Sequence, residues 1–170
     1  VDFVAAGAGA AVAKHGNRAA SSKSGSADVL QALGVKVEIS PEAAGRCLDE
    51  AGICFLFAPA FHPVMKHAAP IRKELGIKTV FNLAGPLTNP AGARRQLVGV
   101  YSRELVSPVA QALRELGAQR AMVVCGHDVL DEITLTAPTE VAELKDGAVR
   151  RYTFDPAGLG LPYCEPSALL

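Results

Sequence analysis

The sequence predicts an α/β fold, with a mostly parallel central sheet, helices on both faces and a late antiparallel hairpin. Three observations predict it. Short apolar runs alternate with capped or amphipathic segments along most of the chain. The apolar content comes from Ala, Val, Leu and Gly, with no Trp and 5% aromatics, which suits close helix-on-sheet packing better than an aromatic-rich sandwich. Near the end, Asp146-Gly147 stands between two runs of strand-forming residues, the signature of a tight hairpin. The 170 residues are enough for a real core, and no repeat or low-complexity linker interrupts them. A single α/β domain over 1–170 is expected.

Residues 1–8 read as the end of a buried, Ala-rich helix, and 11–13 as a short strand. A polar loop over 14–24 precedes a helix from about 25 to 33, with Ser24 or Ser26 as its cap, Asp28 in its first turn and Gly34 after it. Residues 35–39 alternate as a short strand. Ser40-Pro41-Glu42 opens a helix that Gly52 closes. The unbroken apolar run 53–57 predicts a strand buried on both faces. Residues 63–75 read as one or two helices broken at Pro70. A short helix over 79–83 leads into Gly85-Pro86-Leu87-Thr88-Asn89-Pro90, read as a rigid turn. A strand over 97–101, an amphipathic helix over 104–116, a strand over 121–125 and a polar turn over 126–132 follow. The hairpin pairs 139–144 with 148–154.

Composition excludes several classes of function. Lys plus Arg and Asp plus Glu both number 17, so no global field exists to hold nucleic acid or an acidic membrane surface, and any anion site must be local. The four cysteines, Cys47, Cys54, Cys125 and Cys164, show no C-x-x-C spacing. They are read as reduced thiols of a cytoplasmic protein, most of them buried. No apolar stretch reaches the length of a membrane span, and no charged n-region or cleavage signal opens the chain. Val1 begins inside an apolar pattern without an initiator Met, and the chain stops at Ala168-Leu169-Leu170. Both ends are therefore expected to be cuts through a longer protein.

Four segments concentrate chemistry. Lys14-His15-Gly16-Asn17-Arg18-Ala19-Ala20-Ser21-Ser22-Lys23-Ser24-Gly25 lies between a strand and a helix start, bringing cations, hydroxyls and free backbone N–H groups into one turn. It fits a phosphate-binding loop, though not the G-x-x-x-x-G-K-[ST] kind, and equally a flexible surface loop. Asp131-Glu132, after a strand, fits either a Mg²⁺ site shared with substrate phosphates or a solvated acidic pair. Around 59–73, Arg72 offers a planar guanidinium suited to a carboxylate. His62 fits a substrate contact or a structural role, and His67 reads as surface. Gly85 to Pro90 fits a pocket wall or a plain turn. Since ligands in open α/β sheets sit outside the carboxyl ends of strands, the two polar loops are expected to face one crevice.

Taken together, in their order and spacing, Lys14-His15-Gly16-Asn17-Arg18 with the Ser-rich run to Asp28, Phe61-His62-Pro63, Val80-Phe81-Asn82 through Gly85-Pro86-Leu87-Thr88-Asn89-Pro90, and Asp131-Glu132 resemble the anthranilate phosphoribosyltransferases over nearly the whole chain. The resemblance implies transfer of phosphoribosyl from phosphoribosyl pyrophosphate (PRPP) to the anthranilate amine, with release of pyrophosphate, in tryptophan biosynthesis. It implies a cytoplasmic homodimer with Mg²⁺ as cofactor, and no nucleic-acid or membrane partner. Lys14, Asn17, Ser21 and Ser22 would contact PRPP, and Asn17 would also lie near anthranilate. His62, Arg72, Gly85 and Pro86 would line the anthranilate route, with Arg72 toward the carboxylate. Asp131 and Glu132 would hold Mg²⁺. No nucleophile or general base is assigned, because the aniline nitrogen attacks unaided.

The family's glycine-rich Gly-Thr-Gly-Gly-Asp loop and its Asn-Ile-Ser-Thr segment do not occur in these residues. The helices that usually form the dimer contact, and those expected after Leu170, are likewise outside the sequence. Val129 stands where the family commonly has Gly, and Ala84 where it commonly has Leu. Two alternatives remain open at the level of sequence: a pyrimidine nucleoside phosphorylase-like enzyme, and an inactive, binding-only piece of the same fold.

Overall fold

A computed structural model of the chain describes residues 1–18, 24–77 and 79–169, with the side chains at 66, 69, 72, 73 and 169 outside that description. The chain divides into two compact units, Val1–Gly92 and Ala93–Leu170. The fold is mixed α/β with parallel strand pairing and a late antiparallel hairpin, as the sequence predicts.

In the first unit, helix α1 (Asp2–Gly7) leads into strand β1 (Val12–Gly16). The expected burial of α1 does not occur: Phe3 and Val4 are 61% and 77% exposed. The helix meets β1 and β2 (Ile53–Phe57) by its Asp2, Ala5 and Ala6 side, the i, i+3, i+4 stripe, which leaves Phe3 and Val4 outward. β1 and β2 pair in parallel, with Lys14 opposite Phe55 and Gly16 opposite Phe57. Between them lie helices α2 (Ser26–Ala32) and α3 (Pro41–Ala51). α3 starts as its residues dictate: Ser40 Oγ accepts from the Ala43 N–H at 3.3 Å, Pro41 occupies the first turn, and Gly52 ends the helix at φ 71°.

β2 is covered on both faces. Phe55 and Phe57 pack with Ala27, Leu30 and Val37, while Cys54 and Leu56 pack with Ala13, Ala44, Leu48, Ile39 and Phe61. The expected strand at 35–39 is not one; its residues join no ladder. Burial does alternate there, with Val37 buried and Ile39 half-buried beside exposed Lys36 and Glu38, but Val37 and Ile39 feed different clusters, whereas a strand would turn residues two apart to one face. A period of two reports which side chains are buried, whereas a strand also needs a free edge to pair with.

β2 runs directly into helix α4 (Ala58–Phe61), then α5 (Met65–Leu75), which is one helix with Pro70 inside it. Helix α6 (Phe81–Leu87) corrects the expected rigid turn: Gly85 and Pro86 lie in its last turn. Pro86 has no N–H to give the Asn82 carbonyl, and the helix ends one residue later, at Leu87.

In the second unit, β3 (Arg95–Gly99) pairs in parallel with β4 (Arg120–Gly126), which pairs antiparallel with β5 (Thr139–Lys145), itself antiparallel to β6 (Ala148–Phe154). Asp146 and Gly147 join β5 to β6 with both φ angles positive, 52° and 76°, as a type I′ turn requires. Helix α7 (Val106–Glu115), preceded by a 3₁₀ turn at Arg103–Leu105, packs on β4, β5 and β6. Its buried stripe is Val106, Val109, Ala110 and Leu113, the spacing of an amphipathic helix. Val98, Val123, Ala142 and Leu144 are buried in the same unit.

Among the cysteines, Cys54 and Cys125 are buried, Cys164 is half-buried and Cys47 is exposed; all are free thiols. Cys47 thus departs from the expected burial, since its position on α3 falls on the outer side.

Candidate functional site

Because β1 and β2 are parallel and end in register, the segments that follow them leave the same end of the pair. β1 delivers Lys14, His15 and Asn17 there. β2 delivers, through the four residues of α4, His62. The His15 and His62 rings lie 5.0 Å apart, centroid to centroid, in an edge-on arrangement at 70°. α6 closes the group: His15 Nδ1 lies 3.1 Å from the Gly85 carbonyl oxygen. An oxygen acceptor requires Nδ1 to carry the proton, so the opposite nitrogen, Nε2, is a bare acceptor. His15 Nε2 and His62 Nε2 are both buried, and neither has a partner among the described residues. Burial pushes the His15 pKa down, the Gly85 bond works upward, and His62 adds a smaller downward push; the net direction is down. Asn89, from the segment after α6, donates from Nδ2 to the Ala13 carbonyl at 3.1 Å and so pins that segment to β1.

Three motifs remote in sequence therefore meet around a residue not nominated from the sequence. His15 was visible only as a letter in the Lys14–Arg18 motif. What would have singled it out is strand parity, which turns it to the opposite face from Lys14.

Lys14 Nζ is 3.1 Å from Asp2 Oδ2, in a half-exposed ion pair. Asn17 is exposed and its Oδ1 accepts from the Arg18 N–H at 2.8 Å. The Arg18 guanidinium is already committed: it donates to Gln31 Oε1 at 2.7 Å and Glu38 Oε1 at 2.8 Å, sits 3.6 Å from Asp28 Oδ1, and lies over the Phe57 ring at 5.6 Å. Asp28 in turn accepts from the Gly25 N–H at 2.9 Å. Arg18 thus ties the loop's near end to α2, a structural task the motif alone does not reveal. Ser21 and Ser22 lie outside the described residues. Arg72 is on α5, and its side chain lies outside them too. His67 is exposed, as expected.

The second unit holds Asp131 and Glu132, in the loop between β4 and β5. Both are exposed, and among the described residues neither carboxylate has a hydrogen-bond or ion-pair partner. Among the described residues no group of three or more His, Cys, Asp or Glu is arranged to hold a metal. Two neighbouring carboxylates without further protein ligands suit Mg²⁺, which keeps several waters and shares the oxygens of a phosphorylated substrate. They do not suit a closed structural Zn²⁺ site.

The loop around that pair is tied down at several points. Asp128 Oδ1 accepts from the Leu130 N–H at 3.2 Å, and Oδ2 accepts from the hydroxyls of Thr134, at 2.9 Å, and Thr136. The Leu130 carbonyl accepts from the Gly126 N–H at 2.7 Å. Gly99, at the end of β3, has no side chain because the Asp131 carbonyl occupies the place where a Cβ would stand. Burial opposes the charged form of Asp128, but the bonds from Thr136, Leu130 and Thr134 outweigh it and hold the carboxyl below the usual aspartate range.

A family model described as the glycosyl transferase family, a/b domain, matches residues 1–170. The chain belongs to this family. Within the glycosyl transferase family, the anthranilate phosphoribosyltransferase of Rubrobacter xylanophilus is 60% identical over 168 residues, covering 99% of this chain and 49% of that protein. That of Moorella thermoacetica is 61% identical over 160 residues, 94% of this chain and 47% of that protein. The chain thus spans about half the length of the curated relatives it matches. Among solved structures, the anthranilate phosphoribosyltransferase of Thermus thermophilus superposes with a TM-score of 0.90 at 52% identity, over 99% of this chain and 49% of that one. The Saccharomyces cerevisiae enzyme in complex with PRPP and Mg gives 0.87 at 34% identity, over 98% and 46%.

Proposed function

We propose that the protein transfers the phosphoribosyl group of PRPP to the amine of anthranilate, releasing pyrophosphate, as a step in tryptophan biosynthesis. The observation that carries the reading is the meeting of the Lys14–Arg18 strand end, His62 and Gly85 at one end of a parallel strand pair, in a chain whose relatives bear that activity in their names. Lys14, Asn17, Ser21 and Ser22 bind PRPP, Lys14 exchanging Asp2 for a phosphate oxygen. His62, Arg72, Gly85 and Pro86 border the anthranilate route, with Arg72 facing the carboxylate and Asn17 near the ring. Asp131 and Glu132 are the magnesium ligands.

The reaction forms a bond between the anthranilate nitrogen and the anomeric carbon while the bond from that carbon to pyrophosphate breaks. The leaving group takes the electron pair and the nitrogen sheds a proton. The aniline lone pair is nucleophilic already, so the chain's residues bind and orient and none need activate the amine. Magnesium, when bound, supplies positive charge to the departing pyrophosphate. The reading carries with it a cytoplasmic homodimer. It agrees with the finding that, among the described residues, no helix is long and apolar enough to cross a membrane.

The test is loss of anthranilate fluorescence with PRPP and Mg²⁺ in the protein that contains this chain. Glu132→Gln is expected to lower kcat/KM by about 100-fold, and Arg72→Ala to act chiefly through KM for anthranilate. Phosphorolysis of thymidine without consumption of anthranilate would instead establish the pyrimidine nucleoside phosphorylase alternative, which the names of the relatives disfavour. Calorimetric binding of PRPP without turnover would leave a binding-only protein.

A further inference from the structure

We infer that Asp128 is a positioning residue for the acidic pair Asp131-Glu132, the clamp through which one half-buried carboxylate fixes both ends of the metal-holding turn. The inference rests on the reading of that pair as magnesium ligands.

The geometry is specific. The acidic pair lies between Leu130 and Thr134, and Asp128 holds both flanks at once. Upstream, Oδ1 takes the Leu130 N–H, while the Leu130 carbonyl returns to the Gly126 N–H at the end of β4. Downstream, Oδ2 takes the hydroxyls of Thr134 and Thr136. Thr134, 3% exposed, is itself anchored: its N–H donates to Thr139 Oγ1 at 3.2 Å, and Thr139 is fully buried at the start of β5. The Thr136 N–H donates to Thr134 Oγ1 at 3.0 Å. Between these anchors, the Asp131 backbone presses on β3 at Gly99. The turn is thus tied to β3, β4 and β5, with the two carboxylates left as its outward, unengaged groups.

A turn of exposed residues bearing two carboxylates would otherwise spread them by mutual repulsion, and ordering it on each encounter with metal would weaken binding. Groups that orient metal ligands without touching the metal change its affinity by about 10–100-fold when removed. Asp128 has the geometry for that task, since both of its carboxylate oxygens are taken up by bonds within the loop. An Asn in its place retains an acceptor for Leu130 but presents an N–H₂ group to two hydroxyls that donate to Asp128.

The experiment is an electron paramagnetic resonance titration of Mn²⁺, as the visible substitute for Mg²⁺, into the protein containing this chain with PRPP present. The variants are Asp128→Asn, Thr136→Val, Glu132→Gln and the Asp128→Asn/Glu132→Gln double. Asp128→Asn is expected to weaken Mn²⁺ binding about tenfold, with metal-free PRPP binding and KM for anthranilate unchanged. Thr136→Val, which removes one hydroxyl and keeps the side-chain volume, is expected to weaken it about threefold. The double variant should lose less affinity than the two single losses multiplied together, because Asp128 acts through the pair, of which Asp131 remains. Wild-type Mn²⁺ affinity in both Asp128→Asn and Thr136→Val, with Glu132→Gln impaired, overturns the positioning role and leaves the metal reading standing. Unchanged affinity in Glu132→Gln removes the metal reading, and this inference with it.

Discussion

His15 and Gly85, seventy residues apart, are joined by a 3.1 Å hydrogen bond from the imidazole Nδ1–H to the main-chain carbonyl. The bond holds α6 against β1 and fixes the tautomer that leaves Nε2 as an acceptor beside His62.

The first prediction concerns that imidazole. Burial outweighs the carbonyl bond and keeps its pKa below the ordinary 6.5. The unfolded chain therefore takes up the proton first. Between the lowered folded value and 6.5, the unfolded state binds more protons, so stability rises with pH through that window and is complete above 6.5. NMR titration should show His15 neutral, protonated on Nδ1, with a midpoint below 6.5. A midpoint at or above the ordinary value would show that the burial is not felt.

Val129 is a β-branched residue held at φ 66°, and it is 69% exposed. Left-handed backbone costs an L-residue roughly 1–2 kcal/mol, and Val has no polar atom to recover any of it. Glycine adopts this conformation freely but loses more entropy on folding. Val129→Gly is expected to stabilise the protein by about 0.5–1 kcal/mol, read as a rise in the denaturant midpoint at unchanged m-value. A lower midpoint would mean that the Val side chain contributes a contact exceeding its strain.

The Val129 case shows what was legible in the sequence. Departure from a common Gly is readable as a letter; that it strains the backbone is not, until φ is known. The hairpin was legible because Asp146-Gly147 specifies its turn locally. β2 was legible because burial on both faces leaves an unbroken apolar run. The segment 35–39 misled because pattern reports burial, not ladder bonds, and Gly85-Pro86 misled because the helix continues through a proline in its last turn and stops just after it. In the first unit, strand order and motif order were enough to bring the Lys14 segment and His62 to one end of a strand pair. The commitments of Arg18, Asp128 and Gly99 were invisible, since each depends on a partner chosen by tertiary packing.

Gly99→Ala tests the packing of the acidic loop. A methyl group there would overlap the Asp131 carbonyl, and the neighbour is backbone, so the loop or β3 must move. Overpacking of this kind costs about 1–3 kcal/mol. The expected result is a lower melting temperature together with faster amide exchange at Leu130 and Val129, whose N–H groups are bonded within the loop. Wild-type exchange at both amides would show that the loop is held without the close approach at Gly99.

Glu140 gives the last prediction. It is 9% exposed on β5, with the Arg151 Nε of the neighbouring strand on Oε1, and with His127 Nε2 and Thr153 Oγ1 each 3.5 Å away from a carboxylate oxygen. Burial pushes its pKa up, but the Arg151 bond and charge, aided by His127, win and hold it below the usual 4.5. The stability this confers is present above 4.5 and is lost as pH falls through the lowered value. Removing a partner from a buried carboxylate costs about 3–5 kcal/mol when the pair is fully enclosed. The Arg151 side chain is 55% exposed, and His127 remains, so solvent screening reduces the expected loss for Arg151→Met to roughly 1–2 kcal/mol at neutral pH. The same change should raise the Glu140 pKa toward its unfolded value, so that less stability is lost below pH 4.5 than in the parent and the two stability curves converge in acid. Urea unfolding from about pH 3 to 7 reads both effects, and curves for the two proteins that differ by a constant offset at every pH would show that Arg151 acts by packing rather than by charge.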